Sequence, residues 1–249
     1  MVDVAVTLAG RVGRIVAVSR RGLVPRGHAR PGAPPVEADV AGAPTPTALL
    51  RALRAEAARA GSWRAAVDAL RPGTAARWQA FTDADKRSFL RHLRPYWDVH
   101  RHRTAPDVMD VVDGLRASGR LRVVAGRVVR AEAVAGGAEV VVRTRGGSAD
   151  RESAEETFGV QTVVVCTGAR PAADTPVVRH LVAAGLARPD PLGLGLDTDP
   201  DGALVGADGR ASGALFTLGP LRQGSLWEST AVPEIRAQAA ALARHLLAP

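Results

Sequence analysis

Cysteine is almost absent from this chain, since Cys166 is the only one among 249 residues. A single cysteine cannot form an internal disulfide, which excludes a disulfide-stapled secreted scaffold and favours a reducing compartment. Residues 1–10 contain Asp3, lack a basic segment and are too short to cross a bilayer, so they predict neither a signal peptide nor a membrane anchor. The expected location is the cytoplasm, with no membrane partner.

Lysine is nearly absent as well: Lys86 is the one lysine among 33 basic residues, and the formal net charge is +8. Such an excess of positive charge invites a nucleic-acid hypothesis. The arginines are scattered without a dense tract, however, which favours a solvated surface. We therefore expect no nucleic-acid partner.

The chain also lacks a complete phosphate-binding loop. Gly10, Gly13 and Gly22 do not have the spacing of G-x-G-x-x-G, and no Walker A sequence occurs. Helical spacing of small apolar residues predicts a helix over 1–10, and "RIVAVSRRG" predicts a short buried strand directly after it. Because a parallel pair is built as strand, helix, strand, we expect the sequence to begin inside a βαβ unit whose first strand and turn are missing.

The end of that strand carries Ser19, Arg20 and Arg21. In dinucleotide-binding folds an acid at this position accepts from the ribose 2′-OH of NADH, whereas an arginine accommodates the 2′-phosphate of NADPH. The pair therefore favours NADPH if the fold is of this kind. With no fold assumed, two arginines at a strand end are more often merely exposed.

The middle of the chain changes from loop to helices. Residues 24–46 contain six prolines and predict an extended surface loop. Helices are predicted over 47–61, 62–72, 76–81, 83–103 and 106–119. The predicted N-caps are Thr47, Ser62 and Asp83, and the residues predicted to end helices are Gly61, Pro72 and Gly119.

Aromatic residues are few, and most of them fall in this helical stretch. Six of the nine lie there: Trp63, Trp78, Phe81, Phe89, Tyr96 and Trp97. We favour a small helical core over a substrate cage as their role. His92, His100 and His102 raise the question of a metal. His100 and His102 are two residues apart and so lie on different helix faces, and no metal site is predicted. A basic groove for phosphates or an acidic substrate and a packed interdomain surface remain the alternatives.

The second half of the chain predicts mostly strands. A hairpin or meander is expected around the turn at Gly136 and Gly137. The run "VQTVVVCTGARP" predicts a strand buried on both faces, with Cys166 as a small core residue at its end in preference to a redox thiol. "GALFTLGP" predicts one more short buried strand, and residues 228–248 predict a helix whose alanines and leucines face inward.

Five segments in this order resemble a known family: "MVDVAVTL", "VSRRGLVPRGH", "FLRHLRPYWDVHRHR", "VVVCTGARP" and "LFTLGPLRQGSLWESTAVPEIRAQA". The resemblance is to the FAD/NAD(P)-binding proteins sometimes labelled urate-hydroxylase-like, which are similar to flavin N-hydroxylating monooxygenases. It implies an α/β, Rossmann-like flavoprotein fragment with two dinucleotide-binding domains, truncated at its N-terminus. Residues 1–160 would form the NAD(P)-binding domain, with a helical insertion at about 47–119 and an antiparallel β-meander, and 161–249 the C-terminal part of the FAD-binding domain.

The resemblance also implies the cofactors and the site. Arg20 and Arg21 would serve the nicotinamide cofactor, with NADPH favoured. Cys166, Thr167 and Gly168 would form the strand-end turn beside the FAD domain, and Gly219 and Pro220 a late turn near the flavin. The expected activity is an FAD-dependent NAD(P)H oxidoreductase of monooxygenase type acting on a small molecule, with no catalytic side chain assigned. The alternative is a noncatalytic remnant or a nucleotide- or partner-binding module.

Overall fold

The computed structural model of the chain describes residues 1–32, 36–40, 42–146, 154–168 and 172–247. Its helices are α1 (Val2–Leu8), α2 (Pro46–Arg59), α3 (Trp63–Leu70), α4 (Thr74–Ala80), α5 (Asp83–His92), α6 (Arg94–Arg101), α7 (Pro106–Ala117), α8 (Pro176–Ala183), α9 (Gln223–Leu226) and α10 (Val232–Leu247). The strands are β1 (Ile15–Ser19), β2 (Leu121–Val134), β3 (Gly137–Thr144), β4 (Glu155–Val160), β5 (Ala203–Val205) and β6 (Ala211–Phe216).

The chain forms two compact units. Unit 1 comprises Met1–Pro35 and Leu93–Thr167, and unit 2 comprises Val36–His92 and Gly168–Pro249. The predicted helical stretch is shared between them, because α2–α5 belong to unit 2 whereas α6 and α7 belong to unit 1. The assignment of 1–160 and 161–249 to two nucleotide-binding domains stays a prediction.

Unit 1 is built on a four-stranded mixed sheet in the order β1-β2-β3-β4. The short β1 lies parallel to the first part of β2, from the pair Ile15 and Leu121 to the pair Ser19 and Ala125. The remainder of β2 runs antiparallel to β3, which in turn pairs antiparallel with β4. The predicted antiparallel meander and the turn at Gly136 are confirmed, and the chain is mixed α/β.

Both faces of β1 contact apolar clusters. Ile15 and Ala17 pack with the cluster that α1, α7 and the start of β2 form, whose buried members are Val2, Ala5, Val112, Leu115 and Leu121. Val16 and Val18 pack with the buried residues of the meander, Val124, Val140, Val142 and Phe158. Alternate side chains thus enter two cores, as a strand of a parallel pair covered on both faces requires. The predicted opening helix and the strand after it are confirmed, but the strand is half-buried where full burial was predicted.

Unit 2 joins the α2–α5 helices to α8–α10 and the antiparallel pair β5–β6. Ser62 caps α3 as predicted, accepting from the Ala65 N–H at 3.2 Å. The cap of α2 is Thr45 instead of Thr47, because Pro46 can occupy the first helical position. In α5 the Thr82 hydroxyl, and not Asp83, accepts from the Asp85 N–H.

The long helix predicted over 83–103 is in fact two helices. α5 ends at His92 and α6 begins at Arg94, next to Pro95, which has no N–H to donate into a preceding turn. Within the described ranges, no helix combines the length and the apolar character that a membrane span requires.

Three further predictions of burial are wrong. Residues 161–168 form no strand and are exposed, because β4 takes the outer edge of β3 and no described strand pairs with the valine run that follows. Among the described strands β6 pairs with β5 alone, and no residue of β6 is buried. α10 has no buried residue either. A narrow stripe of it is half-buried, and Leu246 and Leu247 are exposed. The stripe consists of Glu234, Ile235, Gln238 and Leu242.

Candidate functional site

The carboxyl end of β1 is a tight turn that fixes the position of Arg20 and Arg21. The Ser19 hydroxyl accepts from the Gly22 N–H at 3.1 Å and closes the turn. Gly22 has φ +62°, and a Cβ there would lie 3.1 Å from the Ala125 Cβ at the parallel end of β2. Only glycine meets both conditions without strain, so the turn holds the two arginines at the edge where parallel strands end.

The two arginines have different surroundings. Arg20 is exposed, whereas Arg21 is half-buried and its guanidinium carbon lies 5.4 Å from the ring centre of Tyr96, over the ring. This is a cation–π contact within the usual range. It connects the strand end to α6, and the Tyr96 residue is 47% exposed. The strand end therefore presents two guanidinium groups and an aromatic ring.

Backbone hydrogen bonds keep α6 beside this loop. The Arg26 N–H donates to the Val99 carbonyl at 2.8 Å, and the Thr104 N–H donates to the Arg26 carbonyl at 2.9 Å. Gly27 pairs with Thr104 in an isolated parallel bridge. The position of Tyr96 relative to the arginines thus depends on several main-chain contacts and not on one side chain.

The α6 helix carries one partly buried acid among basic groups. Arg94 Nε lies 3.6 Å from a carboxylate oxygen of Asp98. Burial raises the pKa of Asp98, and the charges of Arg94 and His102 oppose that rise. The His100 Nδ1 donates to the Tyr96 carbonyl at 2.7 Å within the helix. The described ranges contain no group of three or more His, Cys, Asp or Glu side chains placed to hold a metal ion.

The second predicted group, Cys166, Thr167 and Gly168, lies beyond β4. All three residues are exposed, and Gly168 has φ +90°. The sequence placed Cys166 at the end of a core strand; this is wrong, since its thiol is free and exposed. The turn itself is present at Gly168, but no described cluster of side chains surrounds it.

The third predicted group is in unit 2, where Gly219 begins a 3-10 turn that ends at Arg222. Gly219 is buried with φ +76°, and its N–H donates to Gln238 Oε1 of α10 at 2.9 Å. Pro220 is exposed and has no N–H. Arg222 is buried and donates to the Pro200 carbonyl at 2.8 Å, and burial lowers its pKa.

Sequence reasoning missed two features near these groups. Trp227 adopts φ +63°, which is rare for a residue other than glycine, and stacks on Trp78 with ring centres 4.9 Å apart. The Trp78 Nε1 donates to the Gly224 carbonyl at 2.8 Å. Phe89 completes this ring cluster by packing edge-on against both Trp78 and Trp227, which confirms a small helical aromatic core. Phe81 is buried directly after α4, whereas Tyr96 is exposed. Spacing alone could not separate them, because all occur in helical patterns.

No protein-family model matches the chain, and comparisons with the curated proteins and with the solved structures give no match either.

Proposed function

We propose that the chain binds a phosphorylated dinucleotide of the NADPH type at the carboxyl end of β1, as part of a Rossmann-like, FAD-dependent NAD(P)H oxidoreductase. The observation that carries the proposal is the pair Arg20 and Arg21 on a glycine turn at the end of a parallel strand. Ligands of open α/β sheets bind outside the carboxyl ends of the strands, and arginine at this position suits a 2′-phosphate.

The residues present fit such a cofactor. The exposed Arg20 guanidinium can donate two parallel hydrogen bonds to a phosphate, which a lysine cannot do in the same geometry. Arg21 is restrained by its contact with Tyr96, so less side-chain freedom is lost when it meets an anion. The bound cofactor would supply a hydride, and these residues would hold its adenosine end.

The flavin part of the proposal rests on the sequence resemblance. The Gly219 N–H donates to Gln238, and Pro220 has no N–H, so neither of the two predicted residues has an amide donor left for a flavin. Cys166 and Thr167 are exposed. The contacts in the described residues therefore support the nicotinamide cofactor and give no separate support to FAD.

The experiment compares the affinities for NADPH and NADH by the change in nicotinamide fluorescence. We expect the wild-type protein to prefer NADPH, and Arg20→Ala or Arg21→Ala to weaken NADPH binding by about tenfold each, since a hydrogen bond to a charged group contributes roughly 1.5–3 kcal/mol. Binding of NADH should change little. Equal affinity of the wild-type protein for both cofactors would contradict the proposal.

Arg14→Ala is the matched control. Arg14 is also exposed and adjoins β1, but at the amino end of the strand. The substitution removes the same charge as Arg20→Ala and leaves the proposed site intact. NADPH affinity should therefore stay within about twofold of wild type, because salt screens the effect of an exposed charge at a distance.

A second candidate belongs to another class, a noncatalytic module that binds a nucleotide or a partner. The observation that favours it is the exposed valine run, in which Val165 is 78% exposed. Steady NADPH oxidation by protein that has taken up FAD would favour the oxidoreductase. Binding of NADPH without any oxidation would favour the module.

A further inference from the structure

Tyr96 occupies an unusual place for the one tyrosine of a chain that has few aromatic residues. It is 47% exposed, while Trp78, Phe81 and Trp227 are buried in the other unit. It follows Pro95 in the first turn of α6. An aromatic ring that leaves half of its surface in water contributes little to a core, so packing alone does not explain its position.

The surroundings of Tyr96 are those of a ligand platform. Arg21 lies over the ring at 5.4 Å from its centre, and Arg20 precedes Arg21 in the same glycine turn. Tyr96 and the turn belong to the same unit, and the hydrogen bond from Arg26 to Val99 fixes the helix against the loop. The ring and the two guanidinium groups therefore come from neighbouring backbone segments that hydrogen bonds hold together.

The chemistry of this surface fits a phosphorylated adenosine. An aromatic face stacks on a purine without needing a particular hydrogen-bond pattern, and a guanidinium plane can extend the same stack. In an NADPH-type cofactor the base and the 2′-phosphate are attached to the same ribose. A residue that receives the base must therefore lie beside the residues that receive the phosphate, which is the relation of Tyr96 to Arg21.

We propose that Tyr96 is the base-stacking residue of this site and receives the adenine ring on the exposed surface of its phenol, while Arg20 and Arg21 bind the 2′-phosphate. The inference rests on the proposed function and adds a specificity determinant to it, placed on α6 and not on the strand end. Tyr96 then contributes equally to ligands with and without the 2′-phosphate. The arginines contribute only to those that carry it.

The single tyrosine permits a direct test. Protein labelled with ¹³C in the tyrosine ring gives one set of ring signals, and a purine stacked on the ring moves them upfield through its ring current. The probes are adenosine 2′,5′-bisphosphate, 5′-AMP and inorganic phosphate. We expect a saturable upfield shift with the first two and none with phosphate. Saturable binding of the bisphosphate that leaves the Tyr96 ring signals unmoved would overturn the inference while leaving the proposed function in place.

Variants supply the second readout. Tyr96→Ala should weaken binding of adenosine 2′,5′-bisphosphate and of 5′-AMP by a similar factor of about tenfold, because stacking of one base contributes roughly 1–3 kcal/mol. Tyr96→Phe keeps the ring and should bind both within about twofold of wild type. Equal loss in both variants, or no loss in Tyr96→Ala, would contradict a stacking role.

Failure of the two proposals can be distinguished. If the wild-type protein binds neither NADPH nor adenosine 2′,5′-bisphosphate, the proposed function fails and the stacking role fails with it. If the bisphosphate binds and depends on Arg20 and Arg21 but not on the ring of Tyr96, only the stacking role fails. Because Tyr96 is about half exposed and main-chain hydrogen bonds hold α6 beside the loop, its variants should keep the wild-type unfolding temperature, which is measured alongside.

Discussion

Two serines show how the same substitution can have opposite effects. Ser62 caps α3 by accepting from the Ala65 N–H at 3.2 Å. Ser229 is completely buried, and its hydroxyl has no hydrogen-bond partner among the described residues. A cap satisfies a backbone N–H at the helix end. A buried hydroxyl without a partner has lost its hydrogen bonds to water and gained none in the fold, which destabilises the folded state.

We therefore expect Ser62→Ala to lower the free energy of unfolding by about 1 kcal/mol and Ser229→Ala to raise it by a similar amount. Urea denaturation of the two variants beside wild type measures both values. A loss of stability in Ser229→Ala would mean that its hydroxyl has a partner after all.

At the scale of elements, local signals in the sequence were sufficient wherever neighbouring residues decide the structure. The periodicity of small apolar residues located α1, and the paired glycines located the β2–β3 turn. The break between α5 and α6 was missed although Pro95 marks it, because the apolar spacing continues across the proline. Local sequence did not identify the strand that pairs with the outer edge of β3. The pairing with β4 depends on the register between the two strands, which hydrophobicity alone does not reveal.

The candidate site shows the same limit. The arginine pair and its glycine are readable from the sequence, because a turn after a strand needs such residues. The contact between Arg21 and Tyr96 joins positions that are far apart in the chain, and no pattern within α6 announces it. The contact depends on the hydrogen bonds that place α6 beside the loop.

The valine run after β4 gives the test at this scale. Val165 is 78% exposed, whereas Val142 in β3 is fully buried. Val165→Lys should change the free energy of unfolding by no more than about 0.5 kcal/mol, while Val142→Lys should cost several kcal/mol, because it buries an unpaired charge. Chemical denaturation compares the pair. A large loss of stability in Val165→Lys would show that Val165 is buried, as the sequence pattern predicts and the structure does not show.

At the scale of the whole molecule, the positive charge is partly balanced by pairs in both units. In unit 1, Arg30 meets Asp110 at 2.8 Å, and in unit 2, Arg71 meets Glu234 at 3.0 Å. Exposed pairs of this kind contribute little to stability individually. Acid should therefore act on the chain mainly through carboxylates with several hydrogen bonds, and Glu56 is one of them.

Glu56 predicts how the stability of the molecule responds to acid. Hydrogen bonds from the Arg59 guanidinium, and next from the Asp39 N–H, lower the pKa of Glu56 from its ordinary 4.5 to about 2. A carboxyl whose pKa is lower in the folded state stabilises the fold fully above its unfolded pKa. That contribution is lost as the pH falls from about 4.5 to about 2.

Glu56→Gln removes this dependence, since an amide does not titrate. We expect the variant to be less stable than wild type at pH 7 and the difference to shrink steadily as the pH falls through that window. Glu37→Gln, which alters an exposed carboxylate close to Asp39 in the chain, should leave the slope unchanged. Thermal unfolding across the acid range distinguishes the two. A slope that Glu56→Gln does not flatten would show that the carboxylate is not held by Arg59 and the Asp39 N–H in solution.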